Sequence, residues 1–338
     1  MNATFRVGFL GVAHFHAESY AKALKKIPGC EIVGVYEEDT ALGKRFGEEF
    51  KIECYRSISE LLDKNLDAVI ITSENSKHHE HIVQALDNDL HILCEKPMTI
   101  NIRDAEDVVS RVSKKGVKFQ MCYVMRYHTV SILVKELIDS GILGKPILMV
   151  GTNKLNRALP LLRNWFTNLS LSGGGAVMDH TVHLADLMRW YTEDEVVEVY
   201  TEIGKNVNKA ISVEDNFFTT VRFGSGLIGH IDGSWTYASG FYTWGDVTME
   251  IIGTDGAILM DAFRQNVYLI GDKHPGDRLS WSYYGCDPDL EMVRDFKRCI
   301  QEDKPPRATA KDGLEGVRIS LASYESSKRG EPVQLHQL

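Results

Sequence analysis

The stretch that decides the fold is FRVGFLGVAHFH, residues 5–16, a short apolar run that ends in a glycine turn. The residues that follow continue as a helical pattern through Lys26. A strand that turns at Gly11 into a helix is the first half of a βαβ unit. Taken alone, the turn is a weak dinucleotide fingerprint, because Ala13 and His16 stand where two further glycines are expected. An ordinary strand-to-helix turn fits it equally well.

The same alternation continues over the first 120 residues. Five strands are predicted, at residues 5–10, 31–36, 68–72, 91–94 and 117–122, with helices between them. The third strand is fully apolar, as expected for a parallel strand that is buried on both faces. Strands that alternate with helices of ~10–15 residues indicate right-handed βαβ units. We therefore predict an α/β domain over residues 1–123, with a doubly wound parallel sheet.

The pattern changes in residues 124–338. Strand-like runs alternate in polarity and are joined by short turns, at residues 147–154, 196–203, 216–222, 227–233, 247–253 and 257–260. Helices are predicted at residues 130–140, 176–191 and 289–301. This pattern predicts an α+β domain with a large, mostly antiparallel open sheet. An open sheet needs cover on its second face, so we expect a homodimer or homotetramer formed through this sheet.

Composition excludes several classes of protein. The chain has 338 residues, of which 43% are apolar and 25% charged, and its net charge is −9. An acidic surface disfavours nucleic acid and anionic membranes as partners. The six cysteines form no C-x-x-C pair, no stretch reaches the ~20 apolar residues that span a bilayer, and no signal peptide is recognisable. We expect a cytoplasmic protein.

Polar residues follow the predicted parallel strands, where open sheets bind ligands. Glu37 lies 26 positions beyond Gly11. A carboxylate there can accept both ribose hydroxyls of an adenosine and would repel a 2′-phosphate, which favours NAD over NADP. The alternative is that Glu37 merely starts a loop. Lys96 follows an apolar strand within Glu-Lys-Pro, a setting unusual for a solvated lysine.

Histidine clusters in this half do not predict a metal site. The run at residues 78–81 lacks the paired helical histidines of a zinc protease. His14 and His16 have no third ligand nearby in the sequence, so we interpret them as loop and helix-cap groups.

The most informative segment is SGGGAVMDHTVHL, residues 172–184. Three glycines precede a helix on which Asp179 and His183 are four residues apart, on one face. A carboxylate beside an imidazole can hold the ring and raise its basicity. A helix-terminal acid with a buried histidine is an equally good interpretation of the helix alone.

Together these features resemble the Gfo/Idh/MocA family of NAD(P)-dependent oxidoreductases over nearly the whole chain. The resemblance rests on Gly11 with Glu37, on Glu95-Lys96-Pro97, and on the Asp179/His183 helix about 85 residues later. It implies an NAD-binding Rossmann domain, a substrate-binding and oligomerisation domain, and substrates that are sugars, cyclitols or related polyols. The chain departs from the family in its phosphate loop, which has fewer glycines.

The resemblance also implies residue roles. His183 would be the general base toward a substrate hydroxyl, Lys96 would hydrogen-bond the same oxygen, and Asp179 would orient both His183 and the substrate. The residues expected to bind NAD are Gly11, Ala13, His14, Phe15, Glu37, Ser73, Asn75, His78, Glu95 and Lys96. Those expected to bind substrate are Tyr123, Arg126, Asn156, Arg157, Trp165, Asp179, His183 and Trp235.

Two alternatives remain open for such a chain. A catalytically silent protein could bind NAD and regulate a partner, although the presence of Lys96, Asp179 and His183 argues against it. A glycoside hydrolase of the same fold could use NAD transiently and would accumulate no NADH.

Overall fold

A computed structural model describes residues 4–241, 243–264, 266–270, 279–283 and 285–337. The chain forms two compact units. The first contains the residues up to Tyr127, together with Ser170–Gly173 and Pro288–Val317. The second contains His128–Leu169, Gly174–Asp287 and the residues from Arg318 onward.

The described residues form fifteen strands and ten α-helices. The strands are β1 (Phe5–Leu10), β2 (Cys30–Tyr36), β3 (Glu53–Tyr55), β4 (Ala68–Ile71), β5 (His91–Cys94), β6 (Phe119–Met121), β7 (Pro146–Asn156), β8 (Val196–Ile203), β9 (Asn216–Phe223), β10 (Ile228–Tyr237), β11 (Gly245–Gly253), β12 (Ala257–Asp261), β13 (Asn266–Ile270), β14 (Leu279–Tyr283) and β15 (Val333–Gln334). The helices are α1 (His16–Lys26), α2 (Thr40–Phe50), α3 (Ile58–Leu62), α4 (His78–Asp87), α5 (Ile102–Lys115), α6 (Thr129–Asp139), α7 (Leu169–Ser172), α8 (Ala176–Thr192), α9 (Pro288–Gln301) and α10 (Ala310–Arg329).

The first unit contains a six-stranded parallel sheet. Its strand order is β3-β2-β1-β4-β5-β6, and every neighbouring pair is parallel. The order reverses direction between β1 and β4, which places the loops after these two strands side by side. All four residues of β4 are fully buried, as an apolar central strand requires. The predicted doubly wound parallel sheet is confirmed, with β3 as an additional edge strand.

Helix α9 completes the core of the first unit. The rings of Phe5 and Phe296 lie 6.3 Å apart in an edge-to-face arrangement, and Met292 and Val293 belong to the same apolar core. The sequence-based division places this segment in the second domain, since helical periodicity does not say which sheet a helix covers. In the structure, the later segment Pro288–Val317 joins the residues up to Tyr127 in the first unit.

The second unit contains a seven-stranded sheet in the order β12-β11-β7-β10-β9-β8-β15. β7 and β10 are parallel and the other pairs are antiparallel, which confirms the predicted mostly antiparallel sheet. Helix α8 packs closely on this sheet, because Gly151 on β7 leaves room for Leu184: a Cβ on Gly151 would lie 3.0 Å from the Leu184 side chain. Strands β13 and β14 pair antiparallel in a separate two-stranded sheet.

None of the helices in the described part of the chain is both long enough and apolar enough to cross a bilayer.

Candidate active site

The loop after β1 requires glycine at its first position. Gly11 has a φ of +76°, in the left-handed region that side chains rarely adopt. A Cβ there would lie 2.4 Å from the Cβ of Ser73. The Gly11 amide donates to the Tyr36 carbonyl at 2.8 Å, and the Gly11 carbonyl accepts from the Thr72 hydroxyl at 2.6 Å. The loops after β1 and β4 therefore touch at this residue.

The rest of the loop leads into α1 without further glycines. Ala13 and His14 are buried, and the His14 amide donates to the Thr72 carbonyl at 2.9 Å. Phe15 occupies the cap position of α1, and its side chain caps no amide. His14 accepts from the first turn instead, through Nδ1 from the His16 amide at 3.2 Å and through its carbonyl from the Ala17 amide at 3.1 Å. Amides at a helix N-terminus favour an anionic group, so this end of α1 is compatible with a pyrophosphate.

Glu37 is a buried carboxylate that fixes this loop. The side chain is 5% exposed. One oxygen accepts from the Val12 amide at 2.6 Å and the other from the Asp39 amide at 3.0 Å. Burial raises the pKa of Glu37 above its ordinary value, and the two amide donors oppose that rise. Glu37 thus connects the end of β2 to the turn after Gly11.

A cavity opens beside this carboxylate, and polar residues dominate its wall. Lys77 pairs there with Glu38 and, at 3.2 Å, with Glu74. Burial lowers the pKa of His81 to about 4, so its ring is neutral at pH 7. The lining residues are Gly11, Tyr36, Glu37, Glu38, Ile58, Ser73, Glu74, Lys77, Glu80 and His81.

Three buried polar atoms in and beside the cavity fit a polar ligand. They are Ser73 Oγ, Asn75 Oδ1 and His81 Nδ1, which have no hydrogen-bond partner among the residues that the structure describes. Buried polar atoms are normally paired, so each of these can bind a hydroxyl or amide of a ligand. The Asn75 amide nitrogen is already used, because it donates to the Ser172 carbonyl at 2.8 Å.

Lys96 and its neighbours follow β5 in a tightly held loop. The Lys96 side chain is 4% exposed. The next residue is held by His78, whose Nδ1 lies 2.8 Å from the Pro97 carbonyl while Nε2 faces the Ser73 carbonyl at 3.2 Å. Burial lowers the pKa of His78, and a neutral ring donates only one hydrogen bond, which the shorter contact assigns to Pro97. His78 therefore holds the loops after β4 and β5 together.

Glu95 is fully buried and accepts three hydrogen bonds. One oxygen accepts from Tyr20 and lies 2.9 Å from His16 Nδ1, and the other accepts from the Lys96 amide at 2.9 Å. Burial would raise the pKa of the carboxyl, but His14 and His16 outweigh it and hold the Glu95 pKa well below its usual range. Burial would likewise lower the pKa of His16, but its attraction to Glu95 raises it.

The structure brings a third group to the histidine pair. Ligand atoms of His14, His16 and Glu95 all lie within 4.8 Å of one another. The sequence shows no third ligand near His14 and His16, and for that reason it predicts no metal site. In the fold Glu95 comes close to the pair, because β4 lies beside β1 and β5 lies beside β4.

In the second unit, Glu214 caps helix α8. Its carboxylate accepts from the amides of Gly175 and Val177 at 2.9 and 3.0 Å and from the Tyr324 hydroxyl at 2.6 Å. Gly175 is required at this cap, because a Cβ there would lie 2.0 Å from the Glu214 carbonyl oxygen. A carboxylate at a helix N-terminus also complements the helix dipole. Glu214 therefore fixes the start of the helix that carries Asp179 and His183.

Asp179 is held by an indole from the sheet. Trp235 on β10 donates from Nε1 to Asp179 Oδ2 at 3.0 Å, and His180 Nε2 lies 3.2 Å from the same oxygen. Trp235 and His180 are buried, whereas Asp179 and His183 are partly exposed. The two predicted catalytic residues thus lie one turn apart on α8, on its accessible side.

Aromatic residues of the second unit gather near Asp179. The ring of Trp165 lies 4.2 Å from Phe166, and Phe166 lies 6.3 Å from Trp235. Nearby on the chain, Asn156 Nδ2 donates to the Ser239 carbonyl at 3.0 Å. Arg157 Nε donates to the Tyr237 carbonyl at 3.3 Å.

Tyr123 and Arg126, also predicted to bind substrate, belong to the first unit. Arg126 is 4% exposed, pairs with Asp312 at 3.0 Å and donates to the Arg307 carbonyl. The Tyr123 hydroxyl donates to the Asp312 carbonyl at 3.3 Å. These contacts anchor the start of α10, and the substrate role of both residues stays a prediction.

Comparison with known proteins matches both units to one family. Residues 5–123 match the model "Oxidoreductase family, NAD-binding Rossmann fold", and residues 132–259 match "GFO/IDH/MocA C-terminal domain". A myo-inositol 2-dehydrogenase of Thermotoga maritima is 26% identical over 98% of this chain and 99% of its own. A scyllo-inositol 2-dehydrogenase (NAD(+)) of Bacillus subtilis is 26% identical over 98% and 95%. The crystal structure of a probable dehydrogenase from Thermotoga maritima superposes with a TM-score of 0.84, at 26% identity, and covers 98% and 99%.

The chain belongs to the Gfo/Idh/MocA family. The family resemblance inferred from the sequence is thereby confirmed, as is the expectation of an oxidoreductase with an NAD-binding Rossmann fold. The Gfo/Idh/MocA match includes the unusual turn at residues 11–16, so few glycines in this loop are compatible with membership.

Three polar residues of this Gfo/Idh/MocA protein escaped the sequence analysis. Tyr20 lies in an ordinary amphipathic helix pattern, and Glu214 lies 35 residues beyond Asp179 in the chain. Asn153 on β7 has a buried Oδ1 without a partner among the described residues. Of these three residues, only Asn153 could have been noticed in the sequence, because a side-chain amide at a buried position of a strand is unusual.

Proposed function

We propose that this protein is a dehydrogenase or reductase that transfers a hydride between NAD and a hydroxyl- or carbonyl-bearing carbon of a sugar, cyclitol or related polyol. Its enzyme class, an oxidoreductase that acts on CH–OH groups with NAD(P), follows from its family and from the inositol dehydrogenases that it resembles along their full length. The observation that carries the proposal is the pair of Asp179 and His183 on a helix capped by Glu214.

His183 is the acid and base in this proposal. It takes the proton from the substrate hydroxyl during oxidation and returns a proton during reduction. Asp179 orients the imidazole and the substrate, and Trp235 supports that role because its indole holds one carboxylate oxygen. A carboxylate fixed by a buried donor keeps a neighbouring imidazole in one orientation.

Besides His183, Lys96 is the second polar group that acts on the substrate oxygen in this proposal. Its ammonium hydrogen-bonds the same substrate oxygen and stabilises the negative charge that develops there. NAD, when bound, supplies the hydride acceptor, or the donor in the reverse direction. Ser73, Asn75 and Glu37 hold the dinucleotide, together with the first-turn amides of α1.

The substrate is held by the residues named in the sequence analysis. Trp165 and Trp235 offer apolar faces that suit the C–H face of a sugar or cyclitol ring. Asn156 and Arg157 offer hydrogen bonds to its hydroxyls. In the structure these two side chains donate to backbone carbonyls of Ser239 and Tyr237.

Two further proposals concern the protein in solution. We propose a homodimer or homotetramer formed through the seven-stranded sheet, because Phe218 and Leu259 stand 46% and 79% exposed on strands of that sheet. We propose a cytoplasmic location, which is consistent with six cysteines that are all thiols in the structure.

The test is absorbance of reduced nicotinamide during a screen of inositols, sugars and their keto forms. We expect net NADH from at least one polyol. His183→Ala and Lys96→Ala should each lower kcat by roughly 10²–10⁴, the usual size of an acid–base contribution. His79→Ala, which removes a surface imidazole paired with Asp107, is the control and should leave kcat unchanged.

Near-normal turnover in both site variants would remove the assigned roles. Cleavage of a glycoside without NADH accumulation would instead identify a hydrolase. NAD binding without turnover on the whole panel would favour a regulatory protein.

A further inference from the structure

Glu95, the first residue of the Glu95-Lys96-Pro97 signature, has no exposed surface, whereas Lys96 is 4% exposed. A buried carboxylate is costly unless hydrogen bonds satisfy it. Here the donors are Tyr20, His16 and the backbone amide of Lys96 itself. Both oxygens of the carboxylate are therefore engaged within the first unit, and one of them holds the backbone amide of Lys96.

Helix α1 supplies both side-chain donors. His16 and Tyr20 are four residues apart, so they lie on one face of the helix, one turn from each other. The same helix begins at the loop of Gly11 and His14, beside which a dinucleotide would bind. One rigid element thus connects the cofactor loop to the carboxylate that precedes Lys96.

We propose that His16 and Tyr20 are positioning residues that hold the Glu95 carboxylate against the Lys96 amide and so fix where the Lys96 ammonium is directed. This inference rests on the proposed function, in which Lys96 contacts the substrate oxygen. It assigns Glu95 a role through Lys96 and not a direct contact with the cofactor. A displaced lysine would still bind its ligands but would stabilise the transition state less, so the effect falls on kcat.

A metal ion is the competing interpretation of the same cluster, since His14, His16 and Glu95 have ligand atoms within 4.8 Å of one another. The observed contacts favour hydrogen bonding. Both Glu95 oxygens already accept hydrogen bonds, and the positive charge of Lys96 acts on both Glu95 and His16. A divalent ion at this position would have to displace a donor and would be repelled by that ammonium.

The experiment compares Glu95→Gln, Tyr20→Phe and the double variant, with Tyr127→Phe as the matched control. Tyr127 is a buried tyrosine of the same unit that also donates to a buried carboxylate, Asp295, at 3.0 Å. We expect Tyr20→Phe to lower kcat about tenfold, the size of one hydrogen bond to a charged group, and Glu95→Gln to lower it more. NAD dissociation constants and substrate KM should change less than about threefold.

The double variant separates positioning from general destabilisation. If Tyr20 acts through Glu95, adding Tyr20→Phe to Glu95→Gln should lower kcat no further. Three results would each overturn the inference. The losses in kcat could multiply in the double variant, or the variants could lose NAD affinity alone. Alternatively, Tyr20→Phe could be as active as Tyr127→Phe. His16→Gln, in which the amide can still donate to Glu95, should retain more activity than His16→Ala.

Two controls distinguish a failure of this inference from a failure of the proposed function and from a metal site. Normal turnover in Lys96→Ala would contradict the role that the proposed function gives Lys96, whereas an inactive Lys96→Ala with an unimpaired Glu95→Gln would contradict only the positioning role. Stoichiometric Co²⁺ binding to the wild-type protein, with visible absorption bands that His14→Ala abolishes, would identify a metal site and overturn the inference.

Discussion

A single carboxylate, Glu37, carries the preference for NAD in the proposed function. It lines the cavity after β2, and Lys77, the cation of that cavity, is already paired with Glu38 and Glu74. We expect the wild-type protein to bind NAD more tightly than NADP. Glu37→Gln removes the charge that faces a 2′-phosphate while keeping an acceptor for Val12 or Asp39, and should raise the affinity for NADP relative to NAD by about tenfold.

Titration of both dinucleotides by calorimetry would measure this ratio. Glu80→Gln, which removes a carboxylate from the same cavity wall, is the control and should shift the ratio less. Tighter binding of NADP by the wild-type protein, or an unchanged ratio in Glu37→Gln, would contradict the assignment.

Candidate site residues could be selected from the sequence where a short pattern around them marks them. Gly11 stands after an apolar strand, Lys96 stands in a three-residue signature, and Asp179 and His183 have helical spacing. Tyr20 and Glu214 were not predictable, because each contacts its partner across a long stretch of chain. Tyr20 lies 75 residues from Glu95, and Tyr324 lies 110 residues from Glu214. Only the fold brings such donors and acceptors together.

Helix α8 shows how an element depends on a cap from elsewhere in the chain. Glu214→Ala would leave the amides of Gly175 and Val177 and the Tyr324 hydroxyl without their acceptor. Unsatisfied buried donors cost about 1–3 kcal/mol each, but Glu214 is partly exposed, so water can replace part of the lost acceptor. We therefore expect a loss of roughly 2–4 kcal/mol in the free energy of unfolding of the second unit. Glu214→Gln keeps an acceptor oxygen and should lose about 1 kcal/mol or less.

Urea unfolding at several pH values would test both variants. Burial raises the Glu214 pKa above 4.5, so the folded protein holds this proton more readily than the unfolded chain. Stability should therefore decline as pH rises from 4.5 through the raised pKa, and Glu214→Gln should lack that part of the decline. Equal stability of Glu214→Ala and wild type would show that the cap is dispensable.

Elements with strong periodicity were predicted from sequence, and those without it were not. The parallel strands and α8 show clear apolar runs or helical spacing. Strand β3 has only three residues, too few to show a pattern. Helix α10 combines two glycines with small and charged residues, which weakens its helical signal. The contribution of α9 to the first unit depends on Phe296 meeting Phe5, a contact that no local pattern encodes.

The outer face of the seven-stranded sheet is the surface through which we expect subunits to associate. The strands of this sheet alternate, with one set of side chains buried toward α8 and the other set facing away. Phe218 belongs to the second set, where its ring lies 5.6 Å from His230. A large exposed aromatic on a broad sheet is typical of an interface between subunits.

We therefore expect the protein to sediment at twice or four times the mass of one chain, and Phe218→Asp to shift it toward the single-chain mass. An aspartate at this position would place a charge in the apolar part of the interface, where losing its hydration is costly. Ile142→Asp is the matched control: Ile142 is 69% exposed but lies in the turn after α6 and belongs to no strand of the sheet. Analytical ultracentrifugation of the three proteins at equal concentration would measure the effect. A wild-type protein that sediments as a single chain, or an equal response of the two variants, would exclude the sheet as the interface.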